Sequence, residues 1–417
     1  MKVVDIILSK GFTGYYLDDK HAIQKGATLD GNFYFGETVT DGFKTIRQPG
    51  ESVSFMMVLD DGQISYGDCA TGQYSGIGGR DKPFFADELI EFIEKNIKPK
   101  LIGMEIDSFR SASKEIEEMR IDGERLHSGV RYGITQSILD AVAKKNRLTM
   151  AEIICREYNT TPSNTIPPIF IQTGDDRYTG TDKGIMKGAD VLPHALIKNV
   201  EDEVGDQGEK LLEYAKWIKE RIIKIGAKDY QPRIHLDLYG TIGKIFNKDI
   251  EKVINYLEKL ENAIKPYPLQ LEMPIDMGSK DETVIAFTKI KEAFRERGIK
   301  IKLVVDEWAN TLEEIKEWAD NGATDIVQIK TIDVGGIDRI IEAVLYCNEK
   351  GVGSYLGGTC NETDVSARVC ANVAVATRPS QMLAKPGMGV DEPLMIVKNE
   401  MSRVLSIIQS KAKAKVV

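Results

Sequence analysis

Histidine and cysteine are scarce in this chain, with four and five residues among 417. The five cysteines (Cys69, Cys155, Cys347, Cys360 and Cys370) are odd in number, and none stands in a C-x-x-C pair. That usage argues against both a zinc cluster and a disulfide framework. No apolar stretch approaches the roughly 18 residues needed to cross a bilayer. The opening Met1-Lys2-Val3-Val4-Asp5-Ile6-Ile7-Leu8 carries an acid inside a short apolar run, so it reads as a first β-strand rather than a signal peptide. The expectation is a cytoplasmic protein. A surplus of basic charge is missing too: 55 Lys and Arg stand against 64 Asp and Glu, for a net charge of −9. Nucleic acid and anionic membranes, which need basic patches, are disfavoured as partners. There is no phosphate loop of the G-x-x-x-x-G-K-[ST] kind, and the Gly351/Gly353/Gly357 spacing falls short of a dinucleotide fingerprint.

What is present is ordinary for a globular protein, with 42% hydrophobic and 29% charged residues. A chain of 417 residues exceeds the size at which one core keeps growing, so two domains are expected. Residues 1–160 read as an α+β domain. Strands are expected at Val3–Leu8 and Ser52–Leu59, with a turn at Asp60-Asp61-Gly62 and a return strand at Gln63–Tyr66. Helices are expected near Phe85–Asn96, Ser111–Met119 and Arg131–Lys145, and Gln73–Arg80 forms a glycine-rich loop. The turn-rich Thr160-Thr161-Pro162-Ser163-Asn164 marks the boundary.

Residues 161–417 are periodic. Apolar runs recur at Ile169–Gln172, Val191–Leu196, Ile234–Leu238, Leu269–Met273, Ile301–Asp306, Ile326–Lys330, Ser354–Leu356 and Gln381–Ala384. Amphipathic segments separate most of them, at Gly208–Ile225, Asp249–Ala263, Glu282–Arg297, Thr311–Asn321 and Ile337–Lys350. Eight strands alternating with helices predict an α/β fold with a closed β/α barrel of the TIM type; an open doubly wound sheet shares the local grammar.

In such a barrel the chemistry sits where strands end and loops begin. Three successive strands end in an acid, at Asp237, Glu272 and Asp306, spaced 35 and 34 residues apart, about one βα unit each. Three bare anions at one mouth would repel one another in a partly desolvated site. A hard divalent cation resolves the conflict, and oxygen ligands suit Mg²⁺. Taken singly, each acid also fits a helix N-cap or a strand-end charge. The next strand ends in Lys330, with Gln328 on the same face. A lysine beside a cation in a desolvated mouth suits a general base, although one that merely pairs with an acid is the alternative. His194, after Pro193, is placed to face Lys330 across the barrel; a core or surface histidine is the other reading. His235 points into the interior and reads as structural, while His21 and His127 carry no argument. The loop Gly357-Gly358-Thr359-Cys360-Asn361-Glu362-Thr363 lets backbone approach a ligand, with the Thr359 hydroxyl assisting. Cys360 has no histidine near it in sequence, so packing is favoured over nucleophilic attack.

The acid trio followed by a lysine resembles the enolase superfamily. The stretches Gly67-Asp68-Cys69-Ala70, Gln73-Tyr74-Ser75-Gly76, Arg131-Tyr132-Gly133-Ile134-Thr135-Gln136, Asp190-Val191-Leu192-Pro193-His194-Ala195-Leu196, Gln328-Ile329-Lys330-Thr331, the Gly357–Thr363 loop and Ala384-Lys385-Pro386-Gly387-Met388-Gly389-Val390-Asp391-Glu392 are similar to methylaspartate ammonia-lyases nearly end to end. The resemblance implies an enolase-like barrel under an N-terminal capping domain. It implies a carbon–nitrogen lyase that converts (2S,3S)-3-methylaspartate reversibly to mesaconate and ammonia in glutamate fermentation. By the same resemblance Asp237, Glu272 and Asp306 bind Mg²⁺, Lys330 takes the C3 proton, and His194 serves the opposite face and the other C3 epimer. Gln328 and His194 hold the metal-bound carboxylate; Gln172, Thr359 and Cys360 grip the second carboxylate; Gln73 and Leu383 shape the pocket around the amine and the methyl group. Family membership also implies activation by K⁺ and a homodimer. The rival is a racemase or cycloisomerase of the same superfamily, many of which carry a K-x-K pair where this chain has Gln328 and Lys330.

Overall fold

Val3–Asp18 forms the outer strand of a three-stranded antiparallel sheet, pairing with Arg47–Leu59, which pairs in turn with Ile64–Cys69. Alternation along the central strand buries Val53, Phe55, Met57 and Leu59. Against them lies the helix Ser128–Asn146, buried along most of its length. The crossing is close because glycine meets glycine: a Cβ on Gly67 would collide with the Gly133 carbonyl oxygen, and one on Gly133 with Cys69. This is the packing reason for two of the glycine-containing motifs in the sequence. The computed structural model describes residues 1–174 and 176–414, so Asp175 and the last three residues of the 161–417 stretch lie outside the described residues.

All eight expected parallel strands are present, as Ile169–Phe170, Val191–His194, Arg233–Asp237, Leu269–Glu272, Lys302–Val305, Ile326–Ile329, Gly353–Leu356 and Gln381–Leu383. They pair in sequence order, and the eighth returns to the first through Met382 and Leu383 opposite Ile169 and Phe170, closing the barrel. The interior is a packed layer of Phe170, Val191, Val304, Ile326, Tyr355 and Leu383, with His235 against the Phe170 ring at 4.4 Å. Each such side chain removed from water contributes about 1.5–3 kcal/mol.

The surrounding helices follow from local chemistry. Asp249, Ser279 and Thr311 accept backbone N–H groups at helix starts, and Thr311 with Glu314 completes a capping box. Gly298, Gly322 and Gly351 end helices with φ of 70°, 69° and 69°.

Several elements differ from the sequence-based expectation. The first strand runs ten residues further than expected, because polar residues as far as Asp18 still find backbone partners on Arg47–Ser54. A short exposed hairpin, Thr28–Asp30 with Phe33–Phe35, was not anticipated. The helix near Phe85–Asn96 runs on to Leu101, as Ala86–Phe92, a π-turn at Ile93–Ile97 and a further turn at Lys98–Leu101. The first barrel strand stops before Gln172, and the second ends at His194, where φ values of 74° at His194 and 48° at Ala195 turn the chain out of the sheet. After the last strand, Asp391–Ala414 forms a 24-residue helix that buries Leu394, Val397, Met401 and Val404 at helical spacing.

Candidate active site

A cavity opens at the carboxyl ends of the strands. Strand register carries Asp237 and Glu272 to it directly, since the two residues are paired partners at the ends of the third and fourth strands. Asp306 follows the fifth strand, and Lys330 follows the sixth as the N-cap of a short helix, Thr331–Val334. Gln328 shares the Lys330 face of its strand, as period-two alternation requires, and both line the cavity. His194 lies at the end of the second strand, which stands four places from the sixth in the eight-membered ring, hence across the barrel from Lys330.

The carboxylates are buried and crowded. Burial first, and then the charges of Glu307 and Asp306, hold the Asp237 carboxyl well above the ordinary carboxylate range. Burial and the charges of Asp237 and Asp306 do the same to Glu272. Glu272 Oε2 and His235 Nε2 are hydrogen-bonded at 2.7 Å, and His235 Nδ1 lies 3.0 Å from Gln270 Oε1 and 3.2 Å from Gln381 Nε2. That arrangement makes His235 the group that aims the Glu272 carboxylate. Glu272 Oε1 is buried without a partner among the described residues. His194 Nε2 lies 3.7 Å from Asp237 Oδ2 and 4.0 Å from Glu272 Oε2. Burial, assisted by the charge of Lys330, pushes its pKa down to about 3, so the imidazole is neutral.

Asp306 behaves differently from the other two acids. Its oxygens accept from Lys330 Nζ at 2.6 and 2.8 Å, and with its amide turned to suit the acceptors, Gln328 donates to Asp306 as well. The atoms gathered within 4.8 Å of one another are therefore on His194, Asp237 and Glu272, while Asp306 faces the lysine. Two crowded carboxyls and an unpartnered carboxylate oxygen form a donor set that fits a hard divalent cation, with Asp306 adjoining it.

The rest of the wall comes from loops. Gln172 lies beyond the first strand, where its carbonyl accepts from Gly389 N at 3.2 Å. Leu383 ends the eighth strand. Thr359 and Cys360 stand on the loop after the seventh; Thr359 Oγ1 accepts from Gln73 N at 3.3 Å, and Cys360 Sγ donates to Gln73 Oε1 at 3.3 Å. Burial pushes the Cys360 thiol far up, which keeps it a neutral S–H donor. The cavity thus brings together every residue singled out in the sequence: Gln73, Gln172, His194, Asp237, Glu272, Asp306, Gln328, Lys330, Thr359, Cys360 and Leu383.

Other wall residues escape sequence reasoning. Arg80 closes the glycine-rich loop over the mouth, donating from Nε to Asp333 Oδ2 at 2.8 Å and from Nη2 to Asn310 Oδ1 at 3.0 Å. Tyr74, Tyr239 and Glu307 complete that side. Glu307 had a readable signal, being next to Asp306; the tyrosines had none. Behind Lys330, the fully buried Lys385 Nζ and Glu362 Oε1 pair at 2.9 Å, and Thr331 Oγ1 donates to the same oxygen at 2.7 Å.

Comparison with known proteins follows the same lines. The family described as "Methylaspartate ammonia-lyase N-terminus" matches residues 1–159, and "Methylaspartate ammonia-lyase C-terminus" matches residues 162–410. "Methylaspartate ammonia-lyase 2" of Carboxydothermus hydrogenoformans is 52% identical, covering 98% of this chain and 99% of its own. The crystal structure of β-methylaspartase from Clostridium tetanomorphum, a Mg complex, superposes with a TM-score of 0.95 at 51% identity, over 99% of this chain and 100% of that one. The Citrobacter amalonaticus methylaspartate ammonia lyase containing (2S,3S)-3-methylaspartic acid gives 0.96 at 46% identity, over 98% and 100%.

Proposed function

The chain belongs to the methylaspartate ammonia-lyase family, and from that premise we propose that it eliminates ammonia from (2S,3S)-3-methylaspartate, reversibly, to give mesaconate. The observation that carries the reading is the placement of Lys330 at the mouth of a barrel whose neighbouring strands present Asp306, Glu272 and Asp237.

In this reading Asp237, Glu272 and Asp306 hold Mg²⁺. The ion supplies the fixed positive charge that offsets negative charge building on the substrate carboxylate. Lys330 removes the C3 proton, and His194, neutral and on the opposite wall, donates to that carboxylate and serves the other C3 epimer. Gln328 helps orient the same carboxylate. Gln172, Thr359 and Cys360 receive the second one, where the Thr359 hydroxyl is a donor. Gln73 and Leu383 bound the space for the amine and methyl groups. Near 50% identity along the whole chain to ammonia-lyases disfavours the racemase or cycloisomerase alternative.

The same reading includes a capping domain over residues 1–160 and a barrel over 161–417, activation by K⁺, a homodimer, a cytoplasmic setting and a place in glutamate fermentation. Among the described residues no helix is long and apolar enough to cross a membrane. The test is spectrophotometric. With 3-methylaspartate and Mg²⁺ the protein should generate the ultraviolet absorbance of a conjugated unsaturated diacid, and a chelator should stop it. Absence of that signal at every Mg²⁺ concentration would sink the reading.

A further inference from the structure

Gln73 reaches the cavity from the glycine-rich loop, and a glutamine amide can present either a carbonyl acceptor or an NH₂ donor. Which end faces inward decides what it recognises. An NH₂ group suits a carboxylate; a carbonyl oxygen suits an amine or ammonium. The choice is made outside the cavity, by Asp18 at the end of the first strand.

Asp18 holds Gln73 at two points. Its backbone N–H donates to the Gln73 carbonyl at 3.0 Å, and its Oδ2 accepts from Gln73 Nε2 at 2.9 Å. The carboxylate is itself fixed by a bidentate pair with Arg47, whose Nε and Nη2 donate at 2.7 and 2.9 Å. Arg47 in turn donates to Asn32 Oδ1 at 2.6 Å and lies among the rings of Tyr15, Tyr16 and Tyr34. Asp18 and Arg47 are only 2% and 8% exposed, so the pair is shielded from water. A carboxylate bound to a guanidinium can only accept. It must therefore take the NH₂ end of Gln73, leaving Oε1 turned toward the cavity, where one lone pair meets the Cys360 S–H at 3.3 Å.

We propose that Asp18 is a positioning residue for amine specificity: it turns the Gln73 amide so that the carbonyl oxygen faces the cavity and accepts from the leaving or entering nitrogen. The inference rests on the ammonia-lyase reading of the cavity. It gives a purpose to a buried Arg47–Asp18 pair that touches no reacting atom. Its consequence is that the amide's orientation, rather than the shape of the pocket alone, favours an N–H donor at that position.

The experiment is a double-mutant cycle in the addition direction, with ammonia and mesaconate as the probes. Wild type, Asp18→Ala, Gln73→Ala and the double variant are compared for kcat and for the KM of ammonia, after circular dichroism and thermal unfolding show that each is folded. Asp18→Asn, which preserves volume but removes the acceptor-only carboxylate, is measured alongside in case the alanine variant does not fold. The expected result is that an Asp18 substitution raises the KM for ammonia about tenfold or more, with a smaller change in kcat. In the Gln73→Ala background the same substitution should change KM by less than about twofold, because the group it orients is gone. An unchanged KM in the single variants, or the same fold-loss in both backgrounds, overturns the proposal. An inactive wild type would instead refute the ammonia-lyase reading, so the two failures are told apart.

Discussion

Lys330 Nζ donates to both carboxylate oxygens of Asp306, at 2.6 and 2.8 Å, across the gap between the fifth and sixth barrel strands. The proposed base and a proposed metal ligand are thus each other's counter-ion. A cation on Asp306 would share the carboxylate and loosen its hold on the amine. Base and metal site are coupled by this contact, and the experiments below separate their contributions.

Metal binding should be visible in stability as well as in rate. Asp237 and Glu272 titrate well above their ordinary values of 3.8 and 4.5 because they are buried together. A raised folded-state value means that their contribution is fully present below the unfolded pKa and is lost as pH rises through the folded one. Metal-free protein should therefore lose stability as pH climbs out of the ordinary carboxylate range. Mg²⁺, which binds the ionised form, should raise the unfolding temperature more at about pH 8 than at about pH 6. An equal rise at both values would show that these two carboxyls are not the site of binding.

His194 should remain neutral in working conditions. Its depressed value of about 3, caused first by burial, gives stability that is present above the unfolded value of 6.5 and is lost as pH falls toward the folded one. Its ring nitrogens should keep neutral-imidazole NMR shifts from about pH 8 to about pH 5. A titration centred near the ordinary value would place this ring in water. His194→Ala should slow the (2S,3R) epimer more than the (2S,3S) substrate, and equal losses on both would limit His194 to binding.

Much of this architecture was legible in the residues. The eight strands could be read because each barrel strand is a short apolar run, and the acids could be read because each ends its strand one βα unit after the last. Lys330 and Gln328 fell on one face for the same reason. The alternative of a lysine paired with an acid describes the contact that is seen, and the role of base is the one proposed above. What could not be read were contacts between distant segments. Asp18 meets Gln73 across 55 residues, and Arg80 meets Asp333 across 253. His235 read as plain interior, because nothing local reveals that its Nε2 holds Glu272. The terminal helix did carry a readable periodicity, in Leu394, Val397, Met401 and Val404, beyond the last strand.

The buried pair behind the base should matter for folding. Lys385 and Glu362 are both fully buried and share Thr331, the residue next to Lys330. Among the described residues, Lys385→Met would leave the carboxylate bonded only to the hydroxyls of Tyr132, Thr331 and Ser366. The expected loss is about 3–5 kcal/mol in denaturant unfolding. A loss under about 1 kcal/mol would mean that the carboxylate takes up a proton at little cost.

Arg80 should act on binding. Its guanidinium joins the glycine-rich loop to Asp333 and Asn310, so Arg80→Ala releases the loop that carries Gln73. The KM for 3-methylaspartate should rise roughly tenfold, about 1.4 kcal/mol, with a smaller change in kcat. An unchanged KM would show that the loop holds its place without this contact.

The most direct test of the whole account follows the C3 hydrogen. Wild type and Lys330→Ala are incubated in D₂O with (2S,3S)-3-methylaspartate and Mg²⁺, and NMR follows both mesaconate formation and deuterium entering C3. Wild type should form mesaconate and show exchange through the reverse reaction. Lys330→Ala, with an unchanged circular dichroism spectrum, should lose both by a factor of about 10² to 10⁴. Near-normal elimination by a folded Lys330→Ala protein would contradict the assignment of this lysine as the base.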